Sequence, residues 1–278
     1  MTEPIQLPYV EQGDPEGTPV VFLHGFTDSW RSWEHVLPHL PESIRAIAVT
    51  QRGHGDAERP ASGYRLEDYA ADVARLMLEL DLGRAFLVGH SMGAWVAERV
   101  AIDHPHRVLG TVLVGAIGPG AQNEVIVGLA EECAVLTDPI DPAYAREFQL
   151  GTTERPLAAE RLETFVGESL KVPARIWKET AAGFLDIDLT AELGGIASPA
   201  LLVYGDCDNF VGAAEQERLA AAIPRSHRLV YDGIGHAVHW DDPERFAEHL
   251  AEFVAAQGRS LMMSASELSG RSKRALTA

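Results

Sequence analysis

The chain has 278 residues, 46% of them apolar and 23% charged, which is the balance of a globular protein of one large or two small domains. A formal charge of -18 repels phosphate backbones and anionic lipid, arguing against nucleic-acid and membrane-surface partners. Two cysteines, Cys133 and Cys207, exclude a disulfide scaffold, stand in no metal-like spacing and fit reduced thiols in a cytosolic protein.

The N-terminal stretch MTEPIQLPYVEQGDPEG has neither the basic nor the apolar region of a signal peptide. No run of 18 apolar residues follows, so the expected location is cytoplasmic. Short apolar runs bounded by turn residues mark strands at Val20–Leu23 and Ile44–Val49. Leu66, Tyr69, Val73, Leu76, Met77 and Leu80 then recur three and four apart, which predicts a helix over Leu66–Leu80. Further strands are expected at Ala85–Val88 and Val108–Val114. Runs rich in Val, Ile and Leu without alternation suit a parallel sheet covered on both faces.

From about residue 118 to 195 the pattern is helical throughout, punctuated by Pro139, Pro142, Pro156 and Pro173. An insertion of this kind is expected to sit over one edge of the sheet as a cap. Strands resume at Ala200–Tyr204 and Arg228–Tyr231. The expected layout is therefore a doubly wound α/β core over 1–117 and 196–256, and a helical cap over 118–195. Residues 257–278, polar and Ser-rich, read as a flexible tail.

The strongest local signal is Gly89-His90-Ser91-Met92-Gly93, set between the strand AFLV and the helical stretch AWVAERVAIDH. In a strand-turn-helix context, Gly-x-Ser-x-Gly marks a nucleophile elbow. The turn is sharp enough to leave no room for Cβ atoms at the glycines. A serine hydroxyl needs a base, and His236 stands in a glycine-bounded loop just after the last strand. His239, three residues on, lines the same pocket or caps the next helix. His104, His106, His227 and His249 read as surface residues, and His90 is too close in sequence to serve Ser91. The base in turn needs a carboxylate, and Asp206 and Asp208 both follow the strand LLVYG. One of the two is expected to be a turn-former.

With these residues assembled, the chain resembles the α/β-hydrolase superfamily over about residues 5–256, in the triad order Ser, Asp, His. The resemblance implies that the acid is the last residue of a Gly-x-x-Asp turn, selecting Asp208 over Asp206. It matches His236 to the family's late Gly-His, followed by Pro243, and His24-Gly25-Phe26 to its oxyanion loop. The backbone N–H groups of Phe26 and Met92 are then the expected oxyanion donors. One departure stands out. Where the family often reads Asp-x-Arg-Gly-x-Gly-x-Ser, Thr50-Gln51-Arg52-Gly53-His54-Gly55-Asp56-Ala57 replaces both outer polar positions. The replacement bears on the loop's hydrogen bonds more than on the chemistry, and His54 reads as a loop residue.

Serine at the nucleophile position argues against the relatives that open epoxides or displace halide through aspartate. It implies acyl transfer to water with no metal or organic cofactor, acting on a small to medium ester or lactone. The partner is a small molecule, and the protein is expected as monomer or homodimer. Apolar candidates for substrate contact are Trp30, Phe148, Trp177, Phe184, Phe210, Val211 and Val238. Other readings of the same triad are C–C bond hydrolysis, perhydrolysis, and a hydrolase-like receptor. Only Arg52 and Trp177 present themselves to steer a dienolate.

Overall fold

The computed structural model describes residues 3–258. Alternate residues along its strands point to opposite faces of one sheet. The strands are β1 (Tyr9–Gln12), β2 (Thr18–Leu23), β3 (Ile44–Val49), β4 (Ala85–His90), β5 (Val108–Val114), β6 (Ala200–Gly205) and β7 (Ser226–Tyr231). They pair in the order β1-β3-β2-β4-β5-β6-β7, with β1 antiparallel to β3 and every other pair parallel. Val21, Leu23, Leu87 and Leu113 pack into one apolar layer, while Val20, Phe22, Val88 and Val112 pack into the other. Burial on both faces is why these strands read as unbroken apolar runs.

Helices α1 (Leu66–Glu79) and α2 (Met92–Asp103) cover the first face, joined by α7 (Ala213–Ala222). Between β5 and β6 lie four helices, α3 (Glu124–Ala134), α4 (Pro142–Leu150), α5 (Ala159–Leu170) and α6 (Ala174–Phe184). A short α8 (Val238–Asp241) precedes a last helix, α9, over 243–258. Phe246, Leu250, Phe253 and Val254 of α9 close the second face against Trp33 and Val36. The chain is thus still helical at 257 and 258, where a flexible tail was expected to begin, and residues 259–278 lie outside the described residues. No helix among the described residues is long and apolar enough to cross a membrane.

Two features of the sheet depart from expectation. The strand β1 escapes a reading by pattern because it is a four-residue edge strand with no buried residue. The strand β7 starts earlier, at Ser226, where its first residues are polar and largely exposed and so break the apolar run. His249 is half-buried rather than on the surface, and its Nδ1 lies 2.6 Å from the Tyr231 hydroxyl.

The helix α2 behind Ser91 is buried on nearly every side, including Glu98, whose Oε1 has no partner. Burial pushes the Glu98 carboxyl up from 4.5 to about 8. In that window the folded chain keeps a proton that the unfolded chain releases, so stability falls as pH rises from 4.5 towards 8. The loss is on the order of 4 kcal/mol. Glu98→Gln, which does not titrate, is expected to gain on the wild type by that order between pH 5 and pH 9. Urea denaturation at the two pH values checks it, and an unchanged difference would refute it.

Candidate active site

Parallel strands deliver their C-terminal ends to one edge of the sheet, and the loops that leave that edge carry the chemistry. At the end of β4 Ser91 turns the chain into α2 with φ 52° and ψ -116°, a left-handed conformation that costs a non-glycine residue about 1–3 kcal/mol. Its backbone N–H donates to the Val114 carbonyl at 2.9 Å, while its side chain makes no capping bond to the helix it starts. The hydroxyl is therefore left for other work. Glycine is required on both sides of the turn. A Cβ on Gly89 would run into the Gly93 carbonyl, and one on Gly93 into the Leu23 carbonyl. Met92 is the first residue of α2, so its N–H is among those with no partner within the helix.

The loop after β7 brings His236 back over the same edge. Its Nδ1 lies 2.8 Å from Asp208 Oδ2, with both side chains buried, and its Nε2 is buried with no partner. Phe210 stacks on the ring at 4.4 Å. On the other side Gly115, at φ 56°, leaves the space that a Cβ would take 2.7 Å from His236 Cε1. The second oxygen of Asp208 is fixed as well, accepting from the Phe210 and Val211 backbone N–H groups at 2.7 and 3.1 Å. Asp206 is used differently. It is exposed and accepts from the Gly233 N–H at 2.6 Å, which ties the β6 loop to the β7 loop and holds its carboxyl below the usual range. Of the two acids, Asp208 is the one that meets His236.

Two more histidines crowd this corner. The His90 ring is 4.9 Å from that of His236 and 4.6 Å from that of His239. The His239 ring stacks on Trp33, with Nε2 2.9 Å from Ser32 Oγ. Burial holds His90 and His239 well below the ordinary imidazole value, so they are neutral. The loop after β3 makes its bonds with the residues present. Gln51 Nε2 donates to the His24 carbonyl at 2.8 Å, its backbone N–H donates to His24 Nε2, and Thr50 Oγ1 accepts from the Trp30 N–H. His54 is buried there, its ring bonded to the Arg52 carbonyl.

Ser91 and His236 share a narrow pocket with Phe26, Phe148, Phe184 and Phe210, with a cavity volume of ≈ 20 Å³. Four other expected contacts lie elsewhere. Trp177 is fully buried beneath Phe26 and Phe148, with Nε1 bonded to the Val172 carbonyl. Val211 is core, Val238 belongs to the layer under α9, and Trp30 sits under the Arg31 guanidinium. Arg52 is buried in an ion pair with Asp72 at 2.6 Å, away from the pocket wall. Sequence reading missed Asp28, Trp95, Ile117, Ile126, Leu129, Gln149 and Thr152, all in the wall. Only two left a signal: Asp28 stands two residues after Phe26, and Trp95 one helical turn after Ser91. An outer groove between α3 and α4, with Glu132 and Glu147, shares Leu129, Phe148 and Phe210 with the pocket. No group of three His, Cys, Asp or Glu among the described residues is placed to hold a metal ion.

A family model described as the alpha/beta hydrolase fold matches residues 18–243. The chain is similar to a non-heme chloroperoxidase of Streptomyces lividans, 32% identical over 88% of this chain and 95% of that protein. It is also similar to 2-(acetamidomethylene)succinate hydrolase of Mesorhizobium japonicum, 27% identical over 86% and 89% of the two chains. Among solved structures an esterase from Exiguobacterium antarcticum matches with a TM-score of 0.80 at 25% identity, covering 90% of this chain and 95% of its own.

Proposed function

The chain belongs to the alpha/beta hydrolase fold family, and from that premise we propose that it hydrolyses small to medium carboxylic esters or lactones through an acyl-enzyme on Ser91. The observation that carries the reading is the buried bond from His236 to Asp208, in the pocket that also holds an uncapped, strained Ser91. Ser91 Oγ attacks the carbonyl carbon as its proton passes to His236 Nε2. Asp208 holds the Nδ1–H tautomer and offsets the imidazolium charge. The Phe26 and Met92 N–H groups take the oxyanion, and each such donor is worth about 10²–10³ in rate. The intermediate collapses and the alcohol leaves with the His236 proton. Water then attacks the acyl-enzyme, giving its proton to His236, and the acid departs as Ser91 is restored.

The aromatic walls and small volume favour short acyl chains. Turnover of p-nitrophenyl esters is expected to peak at acetate or butyrate and to fall at palmitate. A palmitate optimum would overturn the size argument. The kinship with a chloroperoxidase favours one second reading, attack of hydrogen peroxide on the same acyl-enzyme to release a peracid. A succinate carries two carboxylates, whereas this pocket presents Asp28 and no Lys or Arg. That contrast argues against carrying over the acetamidomethylene-succinate substrate of the other relative.

A further inference from the structure

Gln149, on α4, reaches down beside the loop that carries Phe26. Its Nε2 donates to Ser169 Oγ at 2.7 Å and to Asp28 Oδ1 at 3.0 Å, and Thr27 Oγ1 lies 3.4 Å away. An ionised Asp28 only accepts and so turns the amide NH₂ towards itself, leaving the other hydrogen for Ser169 Oγ. Gln149 Oε1 is left buried with no partner, and the residue lines the pocket together with Asp28, Ser91 and His236. Thr152 offers it nothing, because that hydroxyl donates to the Gln149 main-chain carbonyl at 2.7 Å. Most of the remaining wall is apolar or aromatic. The bonds that tie α4 to the loop leave this oxygen unused beside the reacting groups, and a buried acceptor is satisfied when a donor reaches it.

We infer that Asp28 and Gln149 form an acceptor subsite for a hydroxyl group on the acyl part of the substrate, which makes hydroxy esters or hydroxylated lactones the preferred class. The inference rests on the acyl-enzyme reading above. A carboxylate in this place would face Asp28, with Glu168 nearby and no basic side chain in the wall. A hydroxyl gives its one proton to Gln149 Oε1, and when Asp28 is protonated its oxygen also accepts from that carboxyl. A site built to bond a substrate hydroxyl rejects the analogue that lacks it, because its own buried groups are then left unpaired.

The test compares kcat/KM of the full chain for methyl butanoate and for methyl 2-, 3- and 4-hydroxybutanoate, followed by acid release. The three positions are tried because the reach from Ser91 to the subsite selects one of them. At least one hydroxy ester is expected to exceed butanoate by about tenfold or more. In Asp28→Leu and in Gln149→Met that ratio is expected to fall to near one. The ratio is taken within each variant, so partial loss of folded enzyme does not distort it. Butanoate equal to or better than all three hydroxy esters in the wild type overturns the inference, as does a ratio that persists in both variants. Fluorophosphonate labelling of Ser91 separates the two levels. Labelling and butanoate turnover without hydroxyl preference remove the subsite and leave the acyl-enzyme standing. Neither labelling nor turnover of any ester removes both.

Discussion

Ser91→Ala is expected to lower kcat for p-nitrophenyl acetate by at least about 10⁴-fold and to abolish fluorophosphonate labelling, while the protein still folds. The loss is large because nothing else in the pocket replaces the attacking oxygen. His236 Nε2 would then face only the substrate, and the remaining acceleration would come from the N–H donors and the pocket walls. The fold should be indifferent, since the Ser91 side chain makes no capping bond to α2. Backbone strain provides a second readout at the same position. Alanine at φ 52° is strained as serine is, whereas glycine adopts that conformation freely. Ser91→Gly should therefore be as inactive as Ser91→Ala but more stable by about 1 kcal/mol, after the entropy that glycine adds to the unfolded chain. For a chain of this size that is about 2–4 °C in Tm. Labelling that persists in Ser91→Ala, or more than a hundredth of the turnover, would show that the nucleophile is another residue.

The groups around Ser91 were legible in sequence because each lies a few residues beyond the end of a strand. Ser91 follows β4, Asp208 follows β6 and His236 follows β7, so short-range order places them. The parallel strands were legible for a related reason, since burial on both faces leaves continuous Val, Ile and Leu runs. The pocket wall obeys no such rule. Phe148 and Trp177 are both aromatic residues on helices between β5 and β6, and pattern alone does not separate them. Helix packing places Phe148 in the pocket and Trp177 beneath it. Asp28 is harder still, because its neighbour Gln149 comes from α4, 121 residues away in sequence. Its raised carboxyl is a property of burial, which outweighs the opposing Gln149 bond, and not of the HGFTDSW segment around it.

Asp208→Asn is expected to reduce kcat by about 10⁴-fold, and Asp206→Asn by less than about tenfold. The asymmetry follows from which donors each carboxylate serves, because only Asp208 meets the His236 ring. Asp208 receives three: the Phe210 and Val211 N–H groups on Oδ1 and His236 on Oδ2. An amide has a single acceptor oxygen. If that oxygen stays with the two backbone N–H groups, the NH₂ faces His236 Nδ1 and requires a lone pair there. The imidazole proton then moves to Nε2, the atom that has to accept the Ser91 proton. If the amide turns the other way, its NH₂ meets the two backbone donors and the loop that places it is disturbed. Asp206 serves the Gly233 N–H from an exposed position, and an asparagine carbonyl serves it as well. Its replacement should shift the β7 loop slightly and leave the His236 tautomer alone. Equal losses in the two variants, or a larger one at Asp206, would take the acid's role away from Asp208.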